Sequence, residues 1–175
     1  NIVIHELAHQ WFGNAVTESS WDDAWLSEGF ATYFTMLFIE EAYGKQELES
    51  QLQAAKKVTF DYYKKDSTYK IIDDRSPEKG PVTNALTYQK GAWVLHMLRR
   101  KLGDETFFRA LRRYYATHAA ATATTDDLRH ALEAASGQDL VPFFRQWVLR
   151  AGLPDLRVDW SWDEAARQAA VEVSQ

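Results

Sequence analysis

The stretch NIVIHELAHQWFGN, residues 1–14, read together with WLSEGFATYF, residues 25–34, decides how this chain folds. His5 and His9 are four residues apart, which on a helix puts both imidazoles on one face, about 6 Å apart along the axis, close enough to grip one small ion. Catalytic zinc usually takes three protein ligands and keeps a fourth position open, so the pair needs a third ligand from elsewhere. Glu28 is the candidate. Eighteen residues separate it from His9, which is room for the first helix to end, a loop to cross, and a second helix to begin against the first. Glu6 lies beside the ligands without being needed as one, and in H-E-x-x-H that position takes a proton from water. Residues 2–12 are apolar on nearly every side and predict a buried helix. Two histidines and a glutamate buried there without a partner would be costly, and a bound cation removes the cost.

Composition narrows the classes. With 175 residues, 46% of them hydrophobic, the chain can bury a substantial core. A net charge of −5 and a pI near 5.5 argue against nucleic acid or an anionic membrane as the principal partner. Arg99, Arg100 and Lys101 form the densest basic cluster, which reads as a solvated helix end. The absence of cysteine excludes disulfides and a thiolate-ligated metal, but identifies no compartment. No apolar run approaches a membrane span. The first residue already falls inside the metal-site helix, so the expectation is a piece of a larger protein, with targeting unreadable.

Beyond Gly13 and Asn14, the segment AVTESSWDDAW crosses to a second helix, predicted over Glu28–Tyr43 with Ser27 as its cap and Phe30, Phe34, Leu37 and Phe38 as core. A third helix is expected over Gln46–Asp66, with Leu48, Leu52, Ala55, Val58 and Tyr62 along one stripe. From Ser67 to Asn84 the periodicity lapses, and Pro77, Gly80 and Pro81 mark a loop. LTYQKGAWVLHMLRRKLG (86–103) is then a helix with Leu95, Leu98 and Leu102 on one face. Asp104 caps a helix from Glu105 to Thr117 that turns Phe107, Phe108, Leu111 and Tyr115 inward. In HAAATATTDD (118–127), Thr124 and Asp127 fit an N-terminal capping pair for a short helix ending at Ser136. DLVPFFRQWVLRAGLP (139–154) is the last helix, with Phe144, Trp147 and Val148 as core and Gly152 and Pro154 ending it. LRVDW and AAVEVSQ alternate apolar and polar residues about DEAARQ, a β-hairpin pattern over residues 155–175. Two strands alone are marginal in water, so the hairpin reads as the opening of a β module.

HELAHQWFGN, WLSEGFATYF and TYQKGAWVL (87–95) together resemble the M1 family of zinc aminopeptidases, and the WFGN form is similar to its aminopeptidase N branch. PFFRQWVLRAGLPDLRV (142–158) is similar to the stretch ahead of that family's β-sandwich domain. The resemblance implies one Zn2+ held by His5, His9 and Glu28, with Glu6 as general base. It also implies a role the residues alone do not suggest: Tyr88, the tyrosine of the family's Y-x-K-G motif, would stabilise the tetrahedral intermediate. A phenol O–H can donate to the oxyanion that develops on a scissile carbonyl. Two departures stand out. The Gly-x-Met-x-Asn motif, which in relatives binds the substrate's amino terminus and lies upstream, is absent, so this piece alone is expected to be inactive. Relatives often carry Glu seven residues after the third ligand, where this chain has Thr35, which leaves the partners of the metal ligands open.

The fold expected is mainly α: residues 1–153 are the helical part of a thermolysin-like zincin catalytic domain that lacks its N-terminal part, and residues 154–175 begin a truncated β-sandwich-like module. The function expected is zinc aminopeptidase activity on a peptide substrate, with missing upstream and downstream domains of the same protein as partners and no nucleic acid. Two rivals are epoxide hydrolase chemistry on the same scaffold, which the WFGN form disfavours, and a non-catalytic binding homologue, which intact Glu6 and Tyr88 disfavour.

Overall fold

A computed structural model describes residues 1–72 and 83–175; Pro77, Gly80 and Pro81 of the expected loop lie outside the described residues. Among these, seven α-helices dominate: α1 (Ile2–Ala8), α2 (Trp25–Tyr43), α3 (Lys45–Tyr63), α4 (Gly91–Leu102), α5 (Asp104–His118), α6 (Thr125–Ser136) and α7 (Val141–Trp147). Two short strands, β1 (Val16–Glu18) and β2 (Ala121–Ala123), pair in parallel, and β3 (Arg157–Asp163) pairs antiparallel with β4 (Gln168–Ser174). The mainly α expectation holds, as does the hairpin.

The molecule is built around α2. Trp25, Phe30, Ala31 and Tyr33 are fully buried on it, and buried positions run around its whole circumference. A helix apolar on every side must sit in the interior, and α1, α3, α4 and the turn before α4 all pack on it. That interior place had been expected of the first helix. Instead Ile2, Val3 and Leu7 on α1 are 74%, 76% and 56% exposed, because α1 packs chiefly on α2 and nothing among the described residues covers its outer side.

Further corrections each have a local cause. α2 begins at Trp25, so Ser27 lies inside the helix and is not its cap. The start of α2 is held by Asp23, whose carboxylate accepts from the Thr125 amide (3.0 Å) and hydroxyl (2.7 Å) while the Trp25 indole donates to the same hydroxyl (2.8 Å). On α3, Thr59 and Tyr63 are buried, whereas Val58 is exposed and Tyr62 only half-buried. Thr59 hides its hydroxyl by donating it to the Ala55 carbonyl at 2.9 Å, so a nominally polar residue completes the 3.6-residue stripe. Phe38 is exposed, and Tyr114 rather than Tyr115 is fully buried. Asp104 does not cap α5; its two oxygens accept from Arg99, at 2.9 and 2.7 Å. The Thr124–Asp127 capping box forms as expected. The strand β2 within the Ala/Thr-rich stretch was not expected; its register, Val16↔Ala121 to Glu18↔Ala123, is imposed by a partner a hundred residues away. In the hairpin, Val158↔Val173 and Trp160↔Val171 share one face, and every residue of both strands is exposed.

The expected helix from Leu86 carries a feature that periodicity does not reveal: Leu86–Lys90 is a π-helical turn that runs directly into α4. Its last residue, Lys90, is 2% exposed and donates to the Tyr63 hydroxyl at 2.8 Å. Burial pushes its ammonium down to about 8 from an ordinary 10.5. The unfolded chain therefore binds the additional proton between pH 8 and 10.5, and stability rises with pH across that window. Relative to Lys90→Met, the wild type should gain up to about 3 kcal/mol between pH 7 and pH 10.5. Chemical denaturation of both proteins at pH 7 and pH 10 measures it; an unchanged difference would show that Lys90 carries no burial penalty.

Candidate metal centre

The site is assembled from α1, the start of α2 and the π-helical turn. His5 lies on α1, and His9 is the residue that ends it, still with helical φ and ψ of −59° and −20°. The i, i+4 spacing therefore keeps both rings on one side, packed edge-to-face with centroids 4.7 Å apart. Glu28 projects from the first turn of α2, on which α1 packs. His5 Nε2, His9 Nε2 and Glu28 Oε2 form a near-equilateral triangle with sides of 3.1, 3.2 and 3.2 Å. Ligands about 2.1 Å from a tetrahedral ion are about 3.4 Å from one another, so the triangle is nearly the face such an ion would present.

Hydrogen bonding shows why these atoms suit a cation. His9 Nδ1 lies 3.0 Å from the Phe12 carbonyl, which can only accept, so Nδ1 carries the hydrogen and Nε2 offers a lone pair to the triangle. Glu28 Oε2 offers another. A proton on His5 Nε2 cannot satisfy all three contacts, whereas one metal ion can. Histidine and carboxylate donors with no thiolate match the donor set of a catalytic zinc or similar ion.

The backbone around His9 is specialised to hold it. Ser27 Oγ is 3.2 Å from His9 Nδ1, so the serine expected to cap a helix instead supports the imidazole of His9. Gly13 adopts φ +129°, and a Cβ there would sit 2.7 Å from Ser27 Oγ and 3.0 Å from His9 Nδ1. Both conformation and space therefore require glycine at this turn. Thr35 donates to the Ala31 carbonyl of its own helix at 2.8 Å and supports no ligand. The imidazole of His9, a candidate ligand, is thus oriented by the Phe12 carbonyl and Ser27.

Tyr88 comes from the middle of the π-helical turn, its ring nearly parallel to that of His5 at 6.0 Å between centroids. Burial raises its phenol pKa, and the Glu28 carboxylate adds to the rise while a hydrogen bond with Thr83 opposes it. The hydroxyl therefore keeps its proton and stays a donor. Glu6 is exposed on α1 next to His5. One group the sequence reading did not single out is Glu18 on β1, half-buried, its carboxyl raised by burial and by the nearby Glu28 and Asp23 carboxylates. β1, which pairs with β2 and packs on α2, brings it here, and nothing in the local sequence marks it.

The family model described as "Peptidase family M1 domain" matches residues 1–147. Aminopeptidase N of Streptomyces lividans is 37% identical over 166 residues, covering 92% of this chain and 19% of the relative. Aminopeptidase M1 of Arabidopsis thaliana is 35% identical over 155 residues, covering 87% and 18%. Among solved structures, the M1 zinc metallopeptidase of Deinococcus radiodurans superposes with a TM-score of 0.72 at 32% identity, over 88% of this chain and 34% of that one. The chain thus spans under a fifth of the length of these curated relatives.

Removing either histidine or Glu28 should abolish stoichiometric binding of Zn2+, whereas Ser27→Ala, which leaves the Phe12 carbonyl in place, should weaken it by about tenfold. Competition with a chromophoric chelator, read by absorbance, checks both. Unchanged affinity in Glu28→Ala would remove Glu28 from the ligand set.

Proposed function

This chain belongs to peptidase family M1, and on that premise we propose that it carries the metal-binding and catalytic helices of a zinc aminopeptidase. His5, His9 and Glu28 are the ligands of one Zn2+, Glu6 is the general acid–base, and Tyr88 is the oxyanion donor. Residues 1–153 are the helical part of the catalytic domain, and residues 154–175 open a β-sandwich-like module. The observation that carries this reading is the triangle of His5 Nε2, His9 Nε2 and Glu28 Oε2, with Tyr88 stacked beside it.

When bound, zinc supplies Lewis acidity, polarising the carbonyl of the scissile peptide bond and acidifying a water at the open position. The protein supplies the rest. Glu6, held next to His5 by the helix, accepts a proton from the attacking water as its oxygen bonds to the carbonyl carbon. The same carboxyl then gives that proton to the amine nitrogen as the C–N bond breaks. Tyr88 donates its phenolic hydrogen to the carbonyl oxygen as negative charge grows there. The products are a free amino acid and a shortened peptide. The anchor for the substrate's amino terminus is proposed to come from the upstream region that relatives carry.

Tyr88→Phe in the full-length protein should lower kcat on an aminoacyl anilide by about 100- to 1,000-fold and leave KM little changed, because the bond is made only in the transition state. Glu6→Gln should be at least as damaging while keeping zinc. Steady-state kinetics alongside zinc occupancy and Tm decide it: a kcat within about threefold of the parent's in folded, zinc-loaded Tyr88→Phe would take Tyr88 out of the reaction.

A further inference from the structure

Gly29 and Gly91 meet backbone to backbone. A Cβ built on Gly29 would lie 3.1 Å from Gly91 Cα, 3.2 Å from Gly91 C and 3.3 Å from the Thr87 carbonyl oxygen; a Cβ on Gly91 would lie 3.1 Å from Gly29 Cα. Neither glycine has a positive φ, so neither is there for backbone freedom. Both serve close approach: helices with ordinary side chains between them keep their axes about 8–10 Å apart, and removing those side chains lets backbones touch.

The place of this contact gives it meaning. Gly29 directly follows Glu28 on α2. Gly91 directly follows the π-helical turn with Tyr88 at its centre, and the Thr87 carbonyl that a Cβ on Gly29 would also meet belongs to the residue just before Tyr88. A π-helical turn fits one more residue into the turn than an α-helix does, which changes the direction in which its side chains leave; such turns recur at functional sites. Two independent features, the widened turn and the side-chain-free crossing, thus act on one tyrosine. On the opposite side of the crossing, His5, His9 and Glu28 are carried by α1 and α2, which the contact does not separate.

We infer that the Gly29–Gly91 contact sets the distance from the Tyr88 hydroxyl to the metal triad, making both glycines positioning residues for Tyr88. This rests on the reading of Tyr88 as the oxyanion donor. A methyl group on either glycine pushes the Tyr88-bearing turn outward by a few tenths of an ångström or more, while the ligands keep their places.

The test is a double-mutant cycle in the full-length protein, assayed on an aminoacyl p-nitroanilide. Gly91→Ala should lower kcat by at least about tenfold with KM and zinc affinity close to the parent's, since misplacement of 1 Å can cost about 100-fold. In the Tyr88→Phe background the same substitution should cost less than about twofold, because the group it displaces is already gone. Gly29→Ala presses on the same contact from the other side and should repeat the pattern; it stands in if Gly91→Ala does not fold. A loss of equal size in both backgrounds would assign the glycines a purely structural role and overturn the inference. If Tyr88→Phe is slow but Gly91→Ala turns over like the parent, only the positioning inference falls; if Tyr88→Phe itself is fast, the oxyanion reading falls and takes the inference with it.

Discussion

Two histidine nitrogens and a carboxylate oxygen, at least two of them offering electron pairs, are held within 3.2 Å of one another at the junction of α1 and α2. Such a grouping is unfavourable for a bare protein and favourable for one that binds a cation, so it has to be imposed by the rest of the fold. Geometry imposes it at each point. The i, i+4 spacing aims two rings one way, the packing of α1 on α2 brings a carboxylate to them, and the Phe12 carbonyl fixes which nitrogen of His9 faces inward. Gly13 matters through the same interaction, since any side chain there would intrude between Ser27 and His9.

Precision at the metal triad depends on α2 being immobile, and the surrounding structure secures that. α2 is buried around its circumference, and its first turn is tied to the start of α6 through the closed Asp23–Thr125–Trp25 network. Each polar group in that network has its partner, so it rigidifies the core without leaving an orphaned donor. The capping box at Thr124 fixes the far end of the same tie. The parallel pairing of β1 with β2 adds a second link between the connection after α1 and the region before α6. These links hold Glu28 rather than touching it, which is how a ligand gains a defined position on a helix.

The mechanism proposed above divides labour between two bodies. α1 and α2 hold the proposed metal ligands, while the π-helical turn holds Tyr88, and they meet where two glycines let the backbones touch. An oxyanion donor is worth most when its distance is fixed before the reaction starts, because reorganising it would consume the stabilisation it provides. Backbone contact is stiffer than contact through side chains with free torsions, and it suits that requirement.

Much of this was legible in the sequence, for reasons that are local. The i, i+4 histidines, the helix stop at Gly44, the Thr124–Asp127 cap and the strand alternation about DEAARQ each express a rule spanning a few residues, and each appears as expected. Tyr88 was reached through a family resemblance and not through its own surroundings, since a tyrosine among eight carries no local mark. What the sequence could not convey depends on partners far along the chain. Ser27 reads as a cap until His9 is seen beside it, Thr59 reads as polar until its hydroxyl folds back onto Ala55, and Ala121–Ala123 is a strand only because β1 lies alongside. The apolar first helix and the apolar second helix look alike as strings, yet among the described residues one is covered on a single side and the other is the centre of the core, because burial belongs to the packing of whole elements. The close crossing of Gly29 and Gly91, 62 positions apart, is likewise decided only when α2 and α4 pack: the sequence supplies two residues without side chains, and tertiary structure brings them face to face.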